Sequence, residues 1–404
     1  MSDKFQNGLL LTAPTASQCG RTFSRWLVEW LTQLCGWTVV QAVAGNWTNV
    51  VASGSAGVSV AGQPNRFDIG SGYTFVAAND VGAYLTITGF TGTRVTTRNG
   101  IYRIRRVISA TVVELEVECS VHEDGFPSGL TGLAWRLWRP AAAYVPTSTD
   151  VIVLKGRGTT GAGYDFHLHI NVRATNSYFP ELRMSPWASW VPGPGWSDLR
   201  YTSALGIDNY SNSLLNTDRV RVWAAGDADR AVLMMRVEDD YFAWHFIYLG
   251  EIDPKDAVND PRPCVLWAGS NAGVLGVGDD LSTLIGYGSV GTVLSGGRWL
   301  AFDGTTTVTG YALIACVPSS ADAAVVANTE QQWNEPTRAR HRQPILCECR
   351  TSGFMEVRGA LRRIWATTRD TPCLAALGVN GEFLHVRGGI LMPWCNTKAW
   401  YERG

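Results

Sequence analysis

His167 and His169 alternate within the segment YDFHLHINVR, and Asp165 shares their parity. On a strand, residues two apart lie on one face about 7 Å from each other, a spacing that metal sites use. No third ligand follows nearby, and two histidines on a half-polar strand face also read as ordinary surface residues. Cys347 and Cys349 repeat the alternation, but without a second Cys or His pair at finger spacing. Two carboxylate pairs, Asp239 with Asp240 and Glu251 with Asp253, are the candidates for glycoside hydrolysis, which needs two acids across a sugar. Both pairs stand in turn contexts at strand ends, where acids serve the backbone as well. The chain has no G-x-S-x-G elbow and no H-E-x-x-H. Its glycine-rich stretch after Lys155 is no phosphate loop, because the lysine precedes the glycines and no helix pattern follows. These residues point to a protein that is not an enzyme and takes no metal or cofactor.

The elements that carry these groups are mostly strands, so the fold expected is mainly β. Arg230 to Trp267 reads as its centre. An apolar run, Ala231 to Val237, meets the turn Glu238, Asp239, Asp240, and an aromatic, β-branched run from Tyr241 to Leu249 returns from it. The second run is apolar on both faces and predicts a central strand. Gly250 to Pro254 should break it, and Pro263 to Trp267 offers a third strand. One helix is predicted over Arg21 to Cys35, where Phe23, Trp26, Leu27, Trp30, Leu31 and Leu34 fall on one stripe and Gly36 can cap the end. Such a stripe more often packs on its own domain than on a neighbouring subunit. Residues 1–45 then form an N-terminal arm and amphipathic helix, 46–143 a small β-barrel or sandwich domain, and 144–404 a larger antiparallel β-sandwich domain with long loops.

Within the small domain, Ala83 to Phe90, Ile101 to Ile108 and Thr111 to Val117 alternate with period two. Arg103, Arg105 and Arg106 on the middle strand could touch nucleic acid. Glu114, Glu116 and Glu118 on the next strand favour a cross-strand ladder that neutralises them instead. Lys and Arg total 34 against 35 for Asp and Glu, so no overall field attracts nucleic acid or an anionic membrane. No run of apolar residues is long enough for a membrane span, and no signal-peptide core follows the start. Only 17% of residues are charged while 17 are Trp, a balance that interface cores share. Trp26 and Trp30 on the helix, Trp187, Trp190 and Trp196 in an aperiodic stretch, and Trp333 in a polar arm are therefore the candidate interface residues. Cys19 with Cys35, and Cys373 with Cys395, are candidate disulfides if the mature protein works outside a cell.

Four patches carry a resemblance. DVGAYLTI (Asp80 to Ile87), NGIYRI with SATVVEL (Asn99 to Ile104 and Ser109 to Leu115), WHFIYLGEIDP (Trp244 to Pro254) and GEFLHVRGGILMPW (Gly381 to Trp394) resemble segments of uncharacterised virion structural proteins of tailed bacteriophages. The resemblance implies a β-rich subunit of the neck, collar, tail or baseplate, made in the host cytoplasm and resident in the virion. It implies a homo-oligomer that packs on other virion proteins, without membrane or direct nucleic-acid contact. The alternative reading is a carbohydrate-binding β-sandwich module, or a glycoside hydrolase, with Trp187 to Trp196 as its aromatic surface.

Overall fold

The computed structural model describes residues 4–13, 16–42, 50–63, 65–90, 99–116, 130–140, 151–158, 164–171, 181–185, 205–206, 219–237, 244–254 and 264–270, and then the strands between 298 and 394. The chain is mainly β, with two helices among these residues. Strand β1 (Lys4–Thr12) leads into α1 (Ala16–Gln33) and the short β2 (Thr38–Gln41). Six strands then close a barrel: β3 (Ala52–Ser59), β4 (Arg66–Asp68), β5 (Tyr84–Thr88), β6 (Gly100–Val107), β7 (Val112–Leu115) and β8 (Leu133–Trp138), with the one-turn α2 (Ala77–Asp80) before β5. Next come β9 (Val151–Gly158), β10 (Tyr164–Asn171), β11 (Glu181–Ser185) and β12 (Leu205–Gly206). Together with β2, which pairs with β9, they make a five-stranded antiparallel sheet.

The largest sheet is built on β13 (Arg219–Gly226), β14 (Arg230–Val237), β15 (Trp244–Pro254) and β16 (Cys264–Ser270). It continues through β17 (Arg298–Leu300), β18 (Thr307–Thr309), β19 (Tyr311–Ala315), β20 (Gln343–Thr351), β21 (Phe354–Ala366), β22 (Cys373–Ala376), β23 (Glu382–Val386) and β24 (Ile390–Trp394). The predicted hairpin is there, with Val232 opposite Tyr248 and Arg236 opposite Trp244. β15 is central, flanked by β14 and β16. Strand β1 adds to the outer edge of β13, Leu9 opposite Val222 and Leu11 opposite Val220, so the N-terminal arm is a strand of the largest sheet.

Helix α1 begins earlier than the apolar stripe predicts and ends as expected. Gly36 has φ +84, and the carbonyls of Trp30 and Leu31 accept from the N–H groups of Leu34, Cys35 and Trp37. Its stripe packs Trp26, Trp30 and Leu31 into a shared core. Ile152, Leu154, Phe166 and Leu168 of the five-stranded sheet and Val222, Leu233 and Ile247 of the largest sheet belong to the same core. Both sheets and the helix thus share one apolar interior. Trp26 and Trp30 stack at 5.7 Å and are fully buried. The stripe is consumed by the protein's own core, which corrects the reading of these two rings as interface residues.

The barrel has a second core of its own, filled by Phe67, Leu85, Ile104, Val113, Trp135 and Leu137. Its outer face is not bare. Tyr84, Ile101 and Trp138 point the other way, into the sandwich core, and the Tyr84 and Trp138 rings stack at 4.4 Å. The Tyr84 hydroxyl accepts the Thr12 N–H at 2.9 Å and donates to the Leu10 carbonyl at 3.2 Å. The Gln6 amide donates to the Ile101 carbonyl at 2.9 Å and accepts its N–H at 3.2 Å, completing both backbone groups of that residue. From α1, Glu29 accepts Arg136 at 2.8 Å, while Arg25 lies 5.4 Å from the Trp138 ring centre and donates to the Arg139 carbonyl. Burial pushes the Arg25 guanidinium down to about 10, with Glu29 acting against that and Arg136 adding to it.

Candidate functional site

The expected Arg and Glu ladder forms along β6 and β7. Arg103 pairs with Glu116, and Arg106 reaches Glu114 at 2.8 Å with Arg105 at 3.8 Å. Glu118 lies outside the described residues, as do Asp239, Asp240, Trp187, Trp190, Trp196, Trp333 and Cys395. Cys19 and Cys35 are separate buried thiols, not a disulfide. Cys19 stands in the first turn of α1 and Cys35 just past its last. About 16 residues of helical rise, roughly 24 Å, therefore separate them, against the ~4.4–6.8 Å between Cα atoms that a disulfide needs. Cys373 opens β22. His167 and His169 share a face of β10 as predicted but are buried, not surface residues. Asp165, of the same parity, is held by Lys155 at 3.3 Å. Among the described residues no group of three His, Cys, Asp or Glu is placed to hold a metal ion.

The densest polar arrangement gathers instead where β15 changes partners. Gly250 does not end the strand as its sequence predicts. It takes φ +114 and kinks β15, which runs on to Pro254 and passes from β16, with Glu251 opposite Cys264, to β21, with Ile252 opposite Leu361. A side chain at Gly250 would collide with the Asp229 carbonyl and the Arg230 backbone, so only glycine allows the crossing. The kink sets Glu251 beside the β13–β14 turn, where its N–H donates to the Asp229 carbonyl at 2.8 Å.

Arg362 of β21 fills this junction. Its Nη1 donates to Asp229 at 2.8 Å and to Glu251 at 2.6 Å, and its Nε donates to Asp253 at 2.6 Å. Its backbone is held as well: the N–H donates to the Tyr248 hydroxyl at 3.2 Å, and the carbonyl accepts from Arg230. The Tyr248 hydroxyl in turn donates to the Glu251 carbonyl. Glu251 and Tyr248 are fully buried, and Asp229 and Arg230 nearly so. Burial alone would lower the Arg362 pKa, but the bond to Asp253 and the charges of Glu251, Asp253 and Asp229 raise it above the ordinary arginine value. The guanidinium therefore stays charged.

The turn also receives the other sheet. The Arg157 N–H of β9 donates to the Ala228 carbonyl at 2.9 Å, and the Trp37 indole donates to the Asp227 carbonyl at 2.8 Å. β9, the segment after α1, the β15 kink and β21 thus converge on Asp227 to Asp229. Of the carboxylate pair singled out from sequence, Glu251 faces inward and only Asp253 faces water, both on one guanidinium. The arrangement clamps strands together, since hydrogen bonds between charged partners are shorter and stronger than those between neutral ones.

No protein-family model, curated protein or solved structure matches the chain. What the chain does is therefore read from its own chemistry.

Proposed function

We propose that the chain is a structural subunit of a tailed-phage virion, of neck, collar or tail type, which assembles with copies of itself and packs on other virion proteins. The observation that carries this reading is the junction at Arg362. Its carboxylates, guanidinium groups and hydroxyl bind strands of the largest sheet to one another, and the Arg157 N–H and Trp37 indole join β9 and the segment after α1 to the same turn, as suits a subunit that must keep its shape under load. Tyr84, Gln6, Arg25 and Glu29 tie barrel to sandwich in the same way. The four patches that resemble virion proteins fall on β5, on the β6–β7 hairpin, on β15 and on the β23–β24 hairpin, which are framework strands. Low charge and abundant Trp add to the support.

Native mass spectrometry with and without reductant, run beside a glycan array, tests the proposal. A symmetric oligomer with no glycan binding is the expected result. A monomer that binds a defined sugar would refute it.

A further inference from the structure

Strand β1 is held by residues far along the chain. It lies on the edge of β13, from Lys4 opposite Gly226 to Thr12 opposite Arg219, and the Arg221 guanidinium donates to the Gly8 carbonyl at 2.8 Å. Leu9, Leu11 and Ala13 are buried in the core that α1 shares. On the other edge, the Tyr84 hydroxyl takes the Leu10 carbonyl and the Thr12 N–H, backbone groups that alternation turns away from β13. The Gln6 amide fills both backbone groups of Ile101. None of these bonds depends on the connection between β1 and α1.

In the single chain β1 lies on its own β13. The same strand from a second copy would meet the same partners, so exchange replaces contacts by identical ones and costs little. The connection then decides between the two forms. It consists of Ala13, Pro14 and Thr15, between the last residue of β1 and the first of α1. A proline turns the residue before it away from helical conformations towards extended ones, and short hinges of this kind invite exchange. Three extended residues span roughly 10 Å, which limits the receiving β13 to an adjoining copy. Trp26 and Trp30 are consumed by the chain's own core, and sharing that core is how such a subunit gains apolar contact with a copy.

We propose that β1 of one copy enters the β13 edge of an adjoining copy, with Leu9 opposite Val222, Leu11 opposite Val220 and Tyr84 of the receiving barrel closing the outer edge. This rests on the assembly reading above and names its contact. Exchanged between two copies, the strand makes a two-fold pair. Passed from each copy to the next, it makes a ring when the rotation permits closure.

Disulfide trapping in the full chain tests the exchange. Leu10 stands opposite Arg221 and Thr12 opposite Arg219. The two pairs share no backbone hydrogen bonds, so their Cα atoms lie about 4.5 Å apart, within the reach of a disulfide. Leu10→Cys with Arg221→Cys, and Thr12→Cys with Arg219→Cys, are oxidised and run on denaturing gels without reductant. Each single substitution serves as the control for native thiols, and native mass spectrometry gives the oligomer of the wild type. Both double variants should shift mostly into covalent multimers that reductant dissolves, a shift absent from the single variants. Links confined within single chains, or no link from either pair, in a protein that is oligomeric would overturn the exchange and leave the assembly reading standing. A wild type that stays monomeric would overturn both.

Discussion

Tyr84→Phe removes one oxygen from the seam between β1 and the barrel, and its effect should depend on pH in a defined direction. The hydroxyl is fully buried, and burial pushes it up to about 12, with the Thr12 N–H acting against that. An unfolded tyrosine titrates near 10. The folded state therefore holds its proton more tightly, and this stability is fully present below about pH 10 and lost as pH rises through about 12. A difference of about two pKa units corresponds to about 2.7 kcal/mol. At pH 8 the variant also leaves the Thr12 N–H and the Leu10 carbonyl without their partner, at a cost of about 1–3 kcal/mol. The wild type should thus be the more stable at pH 8, and the gap should close or invert as pH approaches 12. Urea unfolding of both proteins across this range measures the gap, and titrations common to both cancel. A gap that stays constant from pH 8 to 12 would refute the assignment of the buried hydroxyl.

Arg362→Met should destabilise the fold by about 3–5 kcal/mol, because it strands buried carboxylates at Asp229 and Glu251. Urea midpoints of variant and wild type at pH 7 would show it. Gly250→Ala should cost at least about 1–3 kcal/mol from backbone strain alone, read from the thermal midpoint, since φ +114 suits no side chain. Asp80→Ala should cost about 1–3 kcal/mol in the barrel, since the Val76 N–H and Tyr73 hydroxyl lose their acceptor while Arg139 keeps access to water, and should speed hydrogen exchange at Val76 and Gly82.

How much of this is legible in the sequence depends on whether partners lie close along the chain. The stripe from Phe23 to Leu34 specifies a helix by itself, and Gly36 marks its end. The β14–β15 hairpin and the β6–β7 ladder of Arg and Glu are likewise local patterns. β3 is not, because ASGSAGVS lacks the bulky β-branched run that signals a strand; its glycines instead admit the rings of Trp135 and Phe67. The junction is half legible. Glu251 and Asp253 stand out as a pair of acids, whereas Arg362 reads as one more strand arginine, being 111 residues from Glu251 and 133 from Asp229. The histidines of β10 mislead for a related reason: alternation gives the face, but not what covers it.

The pairing of β1 with β13 joins residues 213 apart, as between Gly8 and Arg221. During synthesis the first strand leaves the ribosome long before its neighbour exists. At ~5–20 residues per second, that interval is roughly 10–40 s. For that time Leu9 and Leu11 have no sheet to enter, and the sandwich cannot close. Early in its life the nascent chain therefore presents an apolar strand in search of an edge, and its yield in the cell should depend on how well that strand is shielded until Gly226 has been made.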